Sequence, residues 1–120
     1  MMARTENPQG DISVVIPVRN GEERIAECVE SALDQGGIVR EVIVVDRNSS
    51  DETISVAISI GDPRVRVVCL AHCGLDEAAR IAAKEATGDW LYIFRSMEPL
   101  TKEPASPGEN RLARSKDRAG

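Results

Sequence analysis

The sequence has very few aromatic residues, with one Trp, one Tyr and one Phe in 120 residues. Proteins that bind nucleic acid by base stacking need several aromatic side chains on their surface, so this composition argues against that class. The scarcity of aromatics also leaves Val, Ile, Leu and Ala to fill the core, which is typical of a parallel sheet covered by helices. We therefore expect an α/β protein that does not bind nucleic acid.

Long hydrophobic runs are absent as well. The longest run, Ile12–Val18, is interrupted by Ser13 and Pro17 and is far shorter than the roughly 20 residues that cross a bilayer. The cysteine count is three, and this odd number argues for reduced thiols and against a disulfide framework. These absences predict a protein with no transmembrane segment and a cytoplasmic location.

Three kinds of site lack their sequence signatures. No Gly-x-Gly-x-x-Gly follows the first apolar run and no P-loop motif occurs, so dinucleotide and P-loop phosphate sites are not indicated. The single histidine, His72, lies in no recognisable nucleophile motif. Cys69, His72 and Cys73 offer zinc-ligand chemistry, but a fourth ligand is not obvious. The alternative interpretation is an ordinary loop with a buried Cys69.

Four apolar runs recur at nearly even spacing and predict four strands buried on both faces. The runs are Ile12–Val18, Glu41–Asp46, Val65–Leu70 and Trp90–Phe94. Apolar residues at helical spacing predict a helix between the first two runs, ended by Gly36-Gly37. An alanine-rich pattern predicts another between the last two, ended by Gly88.

The connection between the second and third runs is ambiguous. Apolar residues in the segment 54–60 alternate as in a strand, whereas Ser49 and Glu52 have the spacing of a capping box that begins a helix. We predict a helix. Right-handed crossovers then give a Rossmann-like, mainly parallel four-stranded sheet in the order 3-2-1-4, with helices on both faces.

A chain of 120 residues has room for one domain of this kind. We assign that domain to residues 11–100. The flanking segments, 1–10 and 101–120, are polar and have little to bury, so we predict that both are disordered.

Charged residues follow the predicted strands at the edge where open parallel sheets bind ligands. Asp46 ends the second strand, and three arginines come just past strand ends although the formal net charge is -5. These arginines are Arg19, Arg47 and Arg95. Because helix N-termini also direct free N–H groups toward this edge, an anion is the expected ligand.

Four segments of the sequence carry a resemblance to a known family. They are ISVVIPVRNGEERI at Ile12–Ile25, EVIVVDRNSSDET at Glu41–Thr53, DPRVRVV at Asp62–Val68 and ATGDWLYIF at Ala86–Phe94. Together they resemble the N-terminal, nucleotide-binding half of family 2 glycosyltransferases of GT-A type. The resemblance extends from about Asp11 to Leu100. It implies a GT-A half-domain that recognises a nucleotide sugar, most simply of the uridine diphosphate type, for glycosyl transfer to an unknown acceptor.

In that family the first loop and an acidic pair hold the base and ribose of the nucleotide sugar. The resemblance therefore implies that Pro17, Asn20 and Asp46 bind substrate, and a carboxylate such as Asp46 is a suitable acceptor for a base imide or ribose hydroxyl. The second acid of the pair is replaced by Arg47.

The family also holds Mg²⁺ or Mn²⁺ on the diphosphate with an Asp-x-Asp motif after the fourth strand. The corresponding residues here are Arg95-Ser96-Met97, and only Glu98, just after the motif, is acidic. Neither a guanidinium nor a thioether supplies the hard oxygen ligands that these cations need. We therefore expect no metal site and assign no cofactor.

The charge change suggests a specific hypothesis, in which Arg95, together with Arg47, is the counter-charge for a diphosphate in place of the metal. Both arginines are accordingly predicted to bind substrate. In the alternative, the arginines face solvent or pair with Asp46 and Glu98.

No catalytic residue is assigned, because inverting members of the family take their base and acceptor surface from a second half that follows the metal motif. Full transferase activity by this chain alone is not expected. A second hypothesis is a non-catalytic remnant or interaction module, in which a partner chain or second copy covers the shortened sheet. A third is a receiver-like switch that accepts phosphate on Asp46, although the acidic cluster of that class is absent.

Overall fold

The computed structural model describes residues 12–71, 73–99 and 111–114, the last of these by their backbone. Within these residues, three α-helices connect the first four of five strands, in the order β1, α1, β2, α2, β3, α3, β4, β5. Their bounds are β1 Ile12–Val18, α1 Ile25–Leu33, β2 Val39–Arg47, α2 Thr53–Ser59, β3 Val65–Leu70, α3 Leu75–Glu85, β4 Trp90–Ile93 and β5 Arg111–Arg114. None of the helices in the described ranges has the length and hydrophobicity needed to span a membrane.

The first four strands form a parallel sheet in the predicted order, β3-β2-β1-β4. Val18 at the end of β1 lies opposite Asp46 of β2, and Asp46 lies opposite Cys69 of β3. The carboxyl ends of these three strands therefore meet at one edge of the sheet. The prediction of a Rossmann-like, mainly parallel sheet is confirmed.

Helices cover both faces of the sheet, as predicted. On one face, buried β1 and β2 side chains such as Ile16 and Val44 pack with Ile25, Cys28 and Val29 of α1. On the other face, the alanines of α3 pack on residues that alternate with those, among them Val15 and Ile43. Small side chains let α3 approach the sheet closely, which explains why an alanine stripe suffices there.

The helix after β2 is confirmed, but its start differs from the expected capping box. The helix begins at Thr53 after an N-cap residue, Glu52, that makes no side-chain capping bond. Ser49 instead takes part in a loop that precedes the helix. The residues between β2 and α2 form this loop, which contacts the loop after β1.

The expectation of a disordered tail is wrong for four residues. Residues 111–114 form β5, which pairs antiparallel with β4 and places Ala113 opposite Leu91. The polar composition of the tail gave no sign of this strand. Its cause is the free edge of β4, which offers unpaired backbone groups to any extended segment nearby. The predicted disordered N-terminus, 1–10, and the rest of the tail lie outside the described residues.

Candidate functional site

The loops that follow β1 and β2 are joined by backbone N–H groups of the first loop and side-chain oxygens of the second. The bonds are Asn20 N to Ser49 Oγ at 2.8 Å, Gly21 N to Thr53 Oγ1 at 2.9 Å and Glu22 N to Asp51 Oδ2 at 3.2 Å. Three consecutive residues of one loop thus depend on polar side chains of the other. This set of hydrogen bonds forms the joint between the two loops, and it lies at the carboxyl edge of the sheet, where a ligand is expected.

Two further bonds run in the opposite direction. Ser50 N donates to Asn20 Oδ1 at 2.8 Å, and Glu52 N donates to Glu22 Oε1 at 2.8 Å. Asn20 also has a positive φ of 55°, a conformation that asparagine tolerates better than most residues. Asn20 therefore fixes the shape of the site, because both its backbone and its side chain are committed to the loops.

Asp46 stands at the base of this joint and is only 1% exposed. Its Oδ2 accepts a hydrogen bond from Ser49 N at 2.9 Å. Its Oδ1 is buried with no hydrogen-bond partner among the described residues. One carboxylate oxygen of Asp46 therefore holds the loop after β2 in place, whereas the other is a hydrogen-bond acceptor without a donor among the described residues.

A cleft of about 450 Å³ opens beside the loop after β1. Its walls are formed by Arg19, Asn20, Gly21, Glu22, Glu23, Arg24, Asp51 and Met97. This volume lies within the range of about 300–1,000 Å³ that is usual for small-molecule sites. Of the predicted site residues, Asn20 lines this cleft, whereas Pro17 is buried in β1 opposite Val45.

Arg47 and Arg95 contact the loop and helix on the far side of the sheet. Arg47 Nη1 donates to the carbonyl of Cys73 at 3.1 Å, and Arg95 Nη1 forms an ion pair with Asp76 at 2.9 Å. Asp76 lies in the first turn of α3. Arg95 is also exposed, as in the solvent alternative, and the hypothesis that these arginines bind a diphosphate stays a prediction.

Strand alternation explains why the acid and the arginines separate. Successive residues of a strand point to opposite faces. Asp46 follows the face of Val44, which packs with α1, whereas Arg47 follows the face of Val45, which packs with α3. The sequence places these residues at one edge, but their contacts distribute them between two faces.

The residues at the Asp-x-Asp position do not fit the divalent metal of the resembling family. Arg95 is held by Asp76, and Met97 packs its thioether against the apolar cluster beneath α1. Glu98 alone supplies a carboxylate there, and no group of three His, Cys, Asp or Glu residues in the described part of the chain is arranged to hold a metal ion. A Mg²⁺ or Mn²⁺ ion needs several oxygen ligands, which this segment does not provide.

The cysteines are free thiols in different surroundings. Cys69 is exposed, so the expectation that it is buried is wrong, and His72 of the suggested zinc group lies outside the described residues. Cys28 is fully buried in α1. Burial, together with the negative charge of Glu27, raises the pKa of the Cys28 thiol to about 11.

A second polar group, which the sequence did not reveal, lies at the opposite edge of the sheet. Glu41 Oε2 accepts hydrogen bonds from Ser13 Oγ at 2.7 Å and Thr87 N at 2.7 Å, and Oε1 pairs with Arg66 at 3.3 Å. Burial alone raises the pKa of Glu41, but these bonds and the Arg66 charge outweigh it and hold the pKa below its ordinary value. The signal that could have revealed it is the acid, Glu41, at the start of an apolar run.

The chain matches known proteins over most of the described domain. A sequence model of Glycosyl transferase family 2 matches residues 13–94. The succinoglycan biosynthesis protein ExoO of Rhizobium meliloti (strain 1021) is 36% identical over 87 residues, which are 72% of this chain and 25% of that protein. The hyaluronan synthase of Pasteurella multocida is 32% identical over 82 residues, or 67% of this chain and 8% of that protein.

Solved structures show the same fold. The glucosyl-3-phosphoglycerate synthase of Mycobacterium tuberculosis, in complex with Mn²⁺, UDP and glucosyl-3-phosphoglycerate, superposes with a TM-score of 0.59 and 32% identity. The superposition covers 71% of this chain and 33% of the synthase. TarS of S. aureus superposes with a TM-score of 0.62 and 27% identity over 69% of this chain and 26% of its own.

The chain thus spans a quarter of ExoO and a third of the solved synthase. The family match, the order of the sheet and the structural superpositions agree with one another and with the resemblance of the four segments. The chain belongs to glycosyl transferase family 2 and has the fold of the N-terminal half of its GT-A enzymes.

Proposed function

We propose that this chain binds the nucleotide part of a nucleotide sugar, of the uridine diphosphate type, at the carboxyl edge of its sheet. The observation that carries the proposal is the cleft between the loop after β1 and Met97, whose walls are held by reciprocal hydrogen bonds. A site whose walls are fixed before binding loses less entropy on binding. The solved synthase, a structural relative, holds UDP in its complex.

The predicted site residues have different parts in this proposal. Asn20 lines the cleft and shapes it, whereas Pro17 is buried within β1 and does not line it. Asp46 does not line the cleft and is almost fully buried, and we assign it as the acceptor for a hydroxyl or N–H group of the nucleotide because its Oδ1 has no partner among the described residues. Arg95 is paired with Asp76 and Arg47 Nη1 with the carbonyl of Cys73, whereas Arg47 Nε is buried without a partner among the described residues.

The proposal covers donor binding, and glycosyl transfer itself is assigned to the longer proteins that this chain resembles. A cytoplasmic location belongs to the same proposal and is supported by the three free thiols.

Isothermal titration calorimetry with UDP, UDP-glucose, GDP and ADP tests the proposal. We expect saturable binding of UDP and UDP-glucose that is tighter than binding of ADP. An Asp46→Asn variant keeps one side-chain oxygen but loses the charge, and we expect it to bind UDP more weakly by tenfold or so, the usual effect of removing a charged acceptor. If none of the nucleotides binds with Mn²⁺ or without it, the proposal is wrong.

A further inference from the structure

The position that carries a metal-binding acid in the resembling enzymes is occupied here by Met97, and its side chain lies on the wall of the cleft. A Cβ atom built on Gly21 would lie 3.5 Å from Met97 Cε. The thioether is therefore in contact distance of the loop after β1. An apolar group at this point offers a divalent cation no oxygen ligand.

Two arginines line the same cleft. Arg24 precedes α1, and its Nη1 donates to the carbonyl of Met97 at 3.4 Å, which places a guanidinium directly at the replaced position. Arg19 follows β1 immediately and is exposed. Neither arginine forms an ion pair with a described carboxylate at the distances that hold Arg95 on Asp76.

The acidic residues of the cleft are partly committed to the protein. Asp51 accepts hydrogen bonds from Glu22 N and from both the N–H and the hydroxyl of Thr53. Glu22 accepts one from Glu52 N. Because Asp51 and Glu22 already accept hydrogen bonds from backbone donors, they compete less with a phosphate for the two guanidinium groups, and Glu23 is the acid of the cleft that accepts no such bond among the described residues.

We propose that the cleft binds the diphosphate of its nucleotide without a divalent metal, with Arg19 and Arg24 supplying the counter-charge. The inference rests on the proposed function. It assigns the positive charge to two residues other than Arg47 and Arg95, which are held on the α3 side of the sheet. Guanidinium groups suit this task because they stay charged and donate in a planar fork that matches phosphate oxygens.

Calorimetric titration of UDP and UMP in EDTA and in Mn²⁺ tests the proposal on the wild-type chain. Four variants accompany it: Arg19→Gln, Arg24→Gln, Arg24→Lys and Arg95→Gln. Arg80→Gln, on an exposed position of α3, is the matched control. Circular dichroism and thermal melting show that each variant is folded before its affinity is compared.

We expect EDTA and Mn²⁺ to give the same UDP affinity in the wild-type chain. Arg19→Gln and Arg24→Gln should each weaken UDP binding about tenfold or more, the usual effect of losing a charged hydrogen bond. Binding of UMP should weaken less, and Arg24→Lys, which keeps the charge without the planar fork, should lose less UDP affinity than Arg24→Gln. Arg80→Gln should leave it unchanged.

Three results would overturn the inference. UDP binding that needs Mn²⁺ would show that a metal supplies the charge, and the proposed function would still stand. A loss caused by Arg95→Gln but by neither Arg19→Gln nor Arg24→Gln would move the diphosphate to the α3 side. No binding of UDP under any condition would end both the inference and the proposed function.

Discussion

Gly21 lies where the loop after β1 passes closest to neighbouring side chains. A Cβ atom at this position would come within 2.6 Å of Val18 Cγ2, and Val18 is buried and cannot turn away. We predict that Gly21→Ala lowers the free energy of unfolding by about 1–3 kcal/mol, the usual range for overpacking. The backbone shift should also disturb the bond from Gly21 N to Thr53.

Urea unfolding of Gly21→Ala beside Gly74→Ala measures this effect. The space around Gly74 is open, with no atom within 4 Å of an added Cβ. We expect Gly74→Ala to change the free energy of unfolding by less than about 1 kcal/mol, because two effects oppose each other. Alanine lowers the entropy of the unfolded chain, which stabilises the fold, but it is a poorer N-cap residue for α3 than glycine. Equal losses in both variants would contradict the steric explanation.

Glu41 is the residue whose charge most directly stabilises the fold. Its folded pKa is lowered, so its contribution is complete above its unfolded pKa of about 4.5 and is lost as the pH falls through the folded value. We predict that Glu41→Gln costs about 1.5–3 kcal/mol at neutral pH, the range for hydrogen bonds to charged groups. The difference between wild type and variant should shrink as the pH falls below 4.5.

Urea melts from pH 7 to pH 3 check this prediction. Glu30→Gln, on an exposed position of α1, is the control and should follow the wild-type curve. A difference between wild type and Glu41→Gln that stays constant over the whole pH range would mean that packing, and not charge, explains the loss.

The joint between the two loops is the element that gives the site its shape. Asn20 and Asn48 both have positive φ values, 55° and 70°, but the bond from Ser50 N to Asn20 Oδ1 is one of those that join the loops. Glycine adopts this backbone conformation without strain. Asn20→Gly and Asn48→Gly therefore compare a position with a joining side chain against one without it.

We predict that Asn20→Gly lowers the free energy of unfolding by about 0.5–1.5 kcal/mol, the net worth of a typical hydrogen bond. Asn48→Gly should change it by less. Hydrogen exchange of the Ser50 and Glu22 amides provides the local readout, and it should accelerate in Asn20→Gly only. Unchanged exchange in that variant would show that the loops hold together without Asn20.

The elements were predictable from the sequence to different degrees. Apolar runs predicted β1–β4, and apolar stripes at helical spacing predicted α1 and α3, because such patterns follow from backbone geometry. The helix α2 was predicted from the spacing of Ser49 and Glu52, against an alternation that is typical of a strand. β5 was not predictable, because it depends on the free edge of β4 and not on its own composition. The start of α2 was wrong because a tertiary contact, between Ser49 and Asn20, competes with the local capping pattern.

The sequence predicted where the site lies in the fold better than it predicted the contacts of the side chains there. Sequence order alone put Asp46, Arg47 and Arg95 at the carboxyl edge of the sheet. Which face each side chain takes follows from strand alternation, and which partner each one finds depends on α3 and its preceding loop. Arg24 was missed, because its approach to Met97 joins residues 73 positions apart.

At the scale of the whole molecule, the two edges of the sheet differ. β3 forms one edge, whereas β4 is covered by β5 along its four residues. Among the described residues, Ile58 is the one large hydrophobic side chain that is mostly exposed, at 62%. A single exposed side chain is normal for a monomer. These features favour a monomer over a module that needs a partner to cover apolar surface.

Removal of residues 101–120 tests whether β5 is what keeps the chain monomeric. The shortened chain would expose the backbone groups of β4, and an exposed strand edge pairs readily with another chain. We predict a monomer for the full chain and concentration-dependent association for the shortened one, measured by size-exclusion chromatography with light scattering.

Because β3 is identical in both chains, it is the internal control for association through the other edge of the sheet. If both chains run as monomers at all concentrations, β5 has no protective role. If both associate equally, the contact lies at β3 or on a helix face.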